Sequence, residues 1–213
     1  MPLGSAGAPA RAAVYGCVAL SLGGGLTGCS AGEGARDYGP APTVSAPAAV
    51  SKLWPDRAEA AGHERVDTSG DARSPVPGIV VPAEGVRGLD PAAVLTADPA
   101  TRAWVKAGLE ECPDSGCRLR APEYADLTGD GHPGLVLAYD GPGRTLMWVY
   151  VVEGQRLRRV LGYAGQPGLT AETRGRDLVV LQRQGIDRVA ATFRWDGSRL
   201  APVVGAGATT GSP

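Results

Sequence analysis

From Cys117 onward, short runs of β-branched, aromatic and leucine side chains recur between glycine-bearing turns. Such spacing predicts strands at Leu119–Ala125, Leu135–Tyr139, Leu146–Val152, Leu157–Tyr163, Leu169–Glu172, Leu178–Gln182, Arg188–Trp195 and Leu200–Val204. The connections carry "DGPG", "EGQ", "RGR", "QGID" and "DGS", the chemistry of tight reversals, so the strands should run as an antiparallel meander. "TLMWVYVV" (145–152) is apolar at odd and even positions alike, which predicts a central strand covered on both faces. In "RVAATFRW" (188–195), Val189, Ala191, Phe193 and Trp195 share one face, and Ala190, Thr192 and Arg194 the other, as in a half-buried strand. "EGQRLRRV" (153–160) and "DGSRLAPV" (196–203) echo one another. In each a glycine, Gly154 or Gly197, supplies positive φ and a leucine, Leu157 or Leu200, opens the return strand. Two copies fall short of the three or so stacked units a repeat protein needs.

The pattern before Cys117 has a helical period. Asp90-Pro91 is a cap followed by proline at the first helical position, and Asp98-Pro99 repeats the device. In "DPATRAWVKAGLEEC" the residues Trp104, Val105, Ala107, Gly108 and Leu109 gather on one broad face, predicting an amphipathic helix over Pro99–Glu111. Among the aromatic residues, Trp148, Tyr150, Phe193 and Trp195 are expected in the core, and Tyr124 and Tyr163 at the surface.

Residues 30–88 lack either period. Prolines recur at 40, 42, 47, 55, 75, 77 and 82, and alanine, glycine and serine fill the intervals. Such a stretch buries too little apolar surface to offset the entropy of ordering it. The organisation expected is therefore a signal segment over 1–28, a disordered tether over 29–88, a globular domain over 89–204 and a flexible tail over 205–213. Two patches of the tether, "SKLWP" (51–55) with an exposed Trp54 and "PGIVVPAEGV" (77–86), have enough apolar character to add an edge strand or dock, though transient contact is the favoured expectation. The fold class is α+β, with one or two short helices followed by the meander.

The first residues explain what the tether would be for. Arg11 precedes an apolar run from Ala12 to Leu22, and glycines and "LTGC" (26–29) follow. A basic start, a short apolar core and small residues are the parts of a secretory signal, and the run is too short for a membrane helix of ~20 residues. "LTGC" resembles the bacterial lipobox. That resemblance implies diacylglyceryl addition to Cys29, cleavage before it, and a mature chain held at the extracytoplasmic face of the cell membrane by its acyl (palmitate-type) chains.

Charge and cysteine content narrow the classes further. With 21 Lys+Arg against 22 Asp+Glu the chain lacks the basic excess that nucleic-acid binding requires. Lysine is confined to Lys52 and Lys106 while arginine, alanine and glycine abound, a bias typical of a high-GC actinobacterial genome. With Cys17 removed in the signal and Cys29 acylated, Cys112 and Cys117 of "CPDSGC" remain. A pair in an exported chain is most simply a disulfide, and the turn-forming Pro113–Gly116 suits one. A redox CxxC would have two intervening residues rather than four, and a zinc site would need further ligands that His63 and His132 are not spaced to give.

"DLTGDGHPG" (126–134) is the most motif-like stretch. Asp126, Thr128 and Asp130 occupy positions 1, 3 and 5 of a calcium-type loop, with Gly131 at 6. It resembles the "DxNGDGxxD" loops of integrin-type propeller repeats, but Gly134 stands where a carboxylate is needed. The favoured expectation is an Asp/Gly turn with Asp126 capping backbone N–H groups, any Ca2+ being weakly held, and no other cofactor is expected. His132 is the domain's lone histidine, and Ser115 and Ser198, its only serines, both lie in predicted turns, so no catalytic triad is expected and the chain is read as a non-enzyme.

Several of these segments together resemble one family, the CseA-type lipoproteins of streptomycetes, encoded with the sigma-E envelope-stress regulators. The resemblance lies in "LTGC", "GARDYGPA" (34–41), "LDPAAVLTADPATRAWVKAGLEEC" (89–112), "YADLTGDG" (124–131), "GRDLVVLQRQ" (175–184) and "FRWDGSRL" (193–200). "CPDSGC" and residues 140–170 depart from the family's pattern. The resemblance implies a membrane-tethered, extracytoplasmic modulator of cell-envelope stress signalling, acting negatively, with a sensor kinase's outer domain or a cell-wall component as partner. The competing expectation is a calcium-stabilised adhesive or glycan-binding domain.

Overall fold

The computed structural model describes residues 48–57, 61–62, 75–110, 117–184 and 186–203. The chain divides into two units, Met1–Ser45 and Ala46–Pro213. The first unit, with the expected signal segment, Cys17 and Cys29, lies outside the described residues, as do Cys112, His63 and Val204.

The second unit is α+β. Its strands are β1 (Val50–Leu53), β2 (Ala61–Gly62), β3 (Pro75–Val80), β4 (Arg118–Leu119), β5 (Glu123–Ala125), β6 (Gly134–Gly141), β7 (Arg144–Glu153), β8 (Arg156–Gly165), β9 (Thr170–Arg174), β10 (Asp177–Gln184), β11 (Asp187–Trp195) and β12 (Leu200–Pro202). A 3-10 turn at Gly85–Gly88 leads to two helices, α1 (Pro91–Ala97) and α2 (Ala103–Glu110). The expected meander is present, but it folds into two sheets. A central sheet runs β3-β8-β7-β6-β4 with β5 also on β6, and an outer sheet runs β1-β9-β10-β11-β12 with β2 on β10. All pairings are antiparallel except β2 with β10.

Strand alternation produces the layers. In β6 and β7, Val136, Ala138, Met147, Val149 and Val151 meet Leu178, Val180 and Phe193 of the outer sheet. The intervening Leu135, Leu137, Tyr139, Trp148 and Tyr150 meet Val94 and Leu95 of α1 and Val105 of α2. β7 is thus covered on both faces, as its apolar run requires. In β8 a bulge shifts the register, because Val149 pairs with Leu161 but Tyr150 with Arg159. The extra residue lets Val160 and Leu161 both enter the inter-sheet core, while Arg159 points to the helices and Arg158 to the outer sheet.

The folded unit starts well before Leu89, which corrects the extent expected for the tether. β1 pairs with β9 from Val50↔Arg174 to Leu53↔Ala171, and β3 lies on β8. Trp54, expected to be exposed, is 6% exposed and belongs to the inter-sheet core. Its indole Nε1 donates to the Ala121 carbonyl at 2.7 Å and its backbone N–H to Glu123 Oε1 at 3.2 Å. The proline-rich composition hid this because each apolar patch is short and its partner strands lie far along the chain.

Three smaller corrections have local causes. The strand expected at Leu119–Ala125 is interrupted, since Pro122 has no N–H for the ladder and Arg120 turns its side chain inward. Asp98-Pro99 makes a turn rather than starting a helix. Asp98 Oδ1 accepts from Ala100 N–H at 2.9 Å, and α2 begins only at Ala103. By contrast Asp90 caps α1 as expected, accepting from Ala92 N–H. Tyr163, expected at the surface, is buried edge-on against Phe193 with ring centroids 5.6 Å apart, and burial pushes its phenol pKa up to about 12.

Candidate functional site

The loop after β5 closes on itself through Asp126. Its Oδ1 accepts from Gly129 N–H at 2.6 Å and from the Thr128 hydroxyl at 3.3 Å, and its Oδ2 accepts from Gly131 N–H at 3.0 Å. Gly129 and Gly131 both hold positive φ, which aims their N–H groups inward. Asp130 does not join them, because its Oδ1 accepts from His132 N–H at 2.8 Å. Burial opposes ionisation of Asp126, but the two backbone donors, Thr128 and the Arg176 charge outweigh it and hold its pKa below the usual value. Asp126 and Thr128 are therefore brought together, with the carboxylate facing N–H donors. Among the described residues no group of three or more His, Cys, Asp or Glu is gathered as a metal site.

Cys117 immediately precedes β4, is packed against the helix-side core, and is disulfide-bonded. A Cβ on Gly108 of α2 would lie 3.9 Å from its Sγ, so the bond is next to α2. Cys112 and the lipidation residue Cys29 are outside the described residues.

Two buried charge clusters escaped the sequence reading. Arg120, 3% exposed, donates through Nε to both Asp140 oxygens at 3.0 and 3.2 Å and through Nη1 to the Leu169 carbonyl at 2.7 Å. Trp54 covers its guanidinium, with 5.1 Å from Cζ to the ring centroid, and Arg57 approaches Asp140 from outside at 3.4 Å. Between α1 and the central sheet, Asp98 accepts from the Tyr150 hydroxyl at 2.9 Å and pairs with Arg159 at 3.3 Å. Both clusters join segments distant in sequence, which leaves no local spacing to read.

A third feature lies on the outer sheet. A pocket of about 550 Å3 is lined by four cations, Lys52, Arg57, Arg183 and Arg188, by Ile186 and by one carboxylate, Glu172. Arg183 and Arg188 are register partners, so their side chains leave the same face of the ladder and both line the pocket. That pair was not read from the sequence, because the strand before it was expected to end at Gln182, whereas β10 continues to Gln184 and carries Arg183 into the ladder.

The chain matches no protein-family profile, and neither a curated protein nor a solved structure matches it.

Proposed function

We propose that the chain is an extracytoplasmic lipoprotein, anchored through Cys29, whose folded unit acts without catalysis to dampen envelope-stress signalling. The observation that carries this reading is the closeness of the lipobox-like "LTGC" to the first strand. Residues 30–47 alone separate Cys29 from Ala48, and a chain of that length spans at most about 65 Å even when fully extended. A tether to residue 88 would have reached about three times as far. The folded unit would therefore work close to the membrane, within range of the outer domain of a sensor kinase or of wall material next to the bilayer. The buried ionisable side chains support a scaffolding role, since Asp98, Arg159, Arg120 and Asp140 hold one another and the elements that carry them.

A sigma-E-dependent promoter reporter tests the reading in host strains lacking the protein, restored with it, and restored with Cys29→Ala. Activity should rise on deletion and fall back only with the acylated form. An unchanged reporter on deletion overturns the regulatory role, and full rescue by Cys29→Ala overturns the requirement for the anchor.

A further inference from the structure

We propose that the cationic pocket of the outer sheet binds the phosphate of an anionic phospholipid, with Ile186 entering the acyl boundary beside it. The chain as a whole carries a net charge of −1, yet four of this pocket's lining residues are cations and one is an acid. That acid, Glu172, is 6% exposed and already paired with Arg174 at 2.6 Å. Arg57 shares Asp140 with Arg120 and keeps a third of its side-chain surface open. Among the described residues, no side-chain hydrogen bond or ion pair joins Lys52 or Arg183, whereas Arg188 already has an interaction of its own.

Like charges directly opposed across a ladder are unfavourable, and Arg183↔Arg188 is such a pair. An anion between them would reverse the sign of that interaction, and paired guanidinium forks suit the oxygens of a phosphate. The apolar neighbour selects the source of the phosphate. Ile186 is 92% exposed at the turn of the same hairpin and lines the same pocket. A soluble phosphate would leave it in water, whereas a bilayer takes basic and apolar groups together at its interface. The choice of a membrane also rests on the Cys29 anchor, which would keep this face within reach of one.

Vesicle co-flotation of the full chain with Cys29→Ala reads the patch without the anchor. The N-terminal apolar stretch is common to all variants and cancels in the comparison. Binding to phosphatidylcholine vesicles containing phosphatidylglycerol should exceed binding to phosphatidylcholine alone and fall with salt. Arg183→Gln with Arg188→Gln should weaken it by roughly thirtyfold, from the usual contribution of surface cations. Should that double variant misfold, Ile186→Asp decides, since so exposed a residue can change without disturbing the core. Equal binding to both vesicle types, or no loss in Ile186→Asp, overturns the proposal. Full competition by glycerol phosphate in solution overturns the membrane assignment. The reporter with Cys29→Ala fails separately, because the patch can bind vesicles whether or not Cys29 is acylated.

Discussion

Arg120 and Asp140 lie directly against one another at the edge of the central sheet, with Trp54 of the N-terminal arm covering the guanidinium. The Arg120 side chain is 1% exposed, so its charge has exchanged water for Asp140, the Leu169 carbonyl and the indole face. Removing one partner of such a pair strands the other, at a cost of about 3–5 kcal/mol. Arg120→Met should lower stability by that order in urea denaturation. Arg120→Lys should not rescue it, because an ammonium cannot repeat the fork on Asp140 and reach Leu169 at once.

Trp54 tests whether residues before 58 belong to the folded unit. It fills the inter-sheet core beside Leu53 and is held by hydrogen bonds to Ala121 and Glu123. Trp54→Ala should cost about 3–5 kcal/mol, the usual effect of deleting a large aromatic from a packed core. Urea denaturation followed by circular dichroism measures it. A loss below 1 kcal/mol would mean that the arm is only loosely attached.

The strands of the meander were legible because each combines an apolar run with its own turn. "EGQ" and "DGS" place Gly154 and Gly197 at φ of 64° and 96°, and Leu157 and Leu200 begin buried returns. The arm was not legible because its evidence is non-local. Lys52 pairs with Glu172, and Pro75 with Arg158, on strands that lie far along the chain. Composition therefore argued for a tether where tertiary pairing makes strands. The 126–134 loop was half legible. Spacing identified an Asp-rich reversal and the capping role of Asp126, but not that Asp130 would turn to the His132 amide.

That loop yields a clear expectation for calcium. Both Asp126 oxygens face N–H donors, and exchanging those donors for a cation would require Gly129 and Gly131 to turn away. Neither calcium nor a chelator should shift Tm by more than about 1 °C, whereas a ligand bound at a hundred times its Kd would add about 2.7 kcal/mol. Asp126→Ala should lower stability by about 1–2 kcal/mol through its lost caps. A calcium-dependent rise in Tm that Asp126→Ala abolishes would revive the adhesive-domain alternative.

The same carboxylates set the pH range of the fold. Burial opposes ionisation of Asp140, but Arg120, Thr145 and Arg57 outweigh it and lower its pKa. Asp177 is lowered by the hydrogen bonds from Arg194, and Asp196 falls to about 2 because it accepts from the Arg199 and Ser198 backbone N–H groups. In an unfolded chain each would titrate near 3.9. A folded-state pKa below the unfolded one contributes stability that is complete above the unfolded value and is lost as pH falls through the folded one. Urea midpoints should therefore hold steady down to about pH 4.5 and fall between about pH 4 and pH 2. The tyrosines act in the opposite direction. Burial raises the pKa of Tyr163 to about 12, and burial together with the Asp98 charge raises that of Tyr150. Their contribution is complete below about pH 10, where an unfolded phenol begins to ionise, and is lost as pH rises further. Asp196→Asn separates one component from the rest. The amide oxygen can still accept from Ser198 and Arg199 but takes up no proton. The variant should lose less stability than the wild type between pH 4 and pH 2 and match its slope above pH 10. Parallel curves on the acid side would show that ionisation of Asp196 adds nothing to stability.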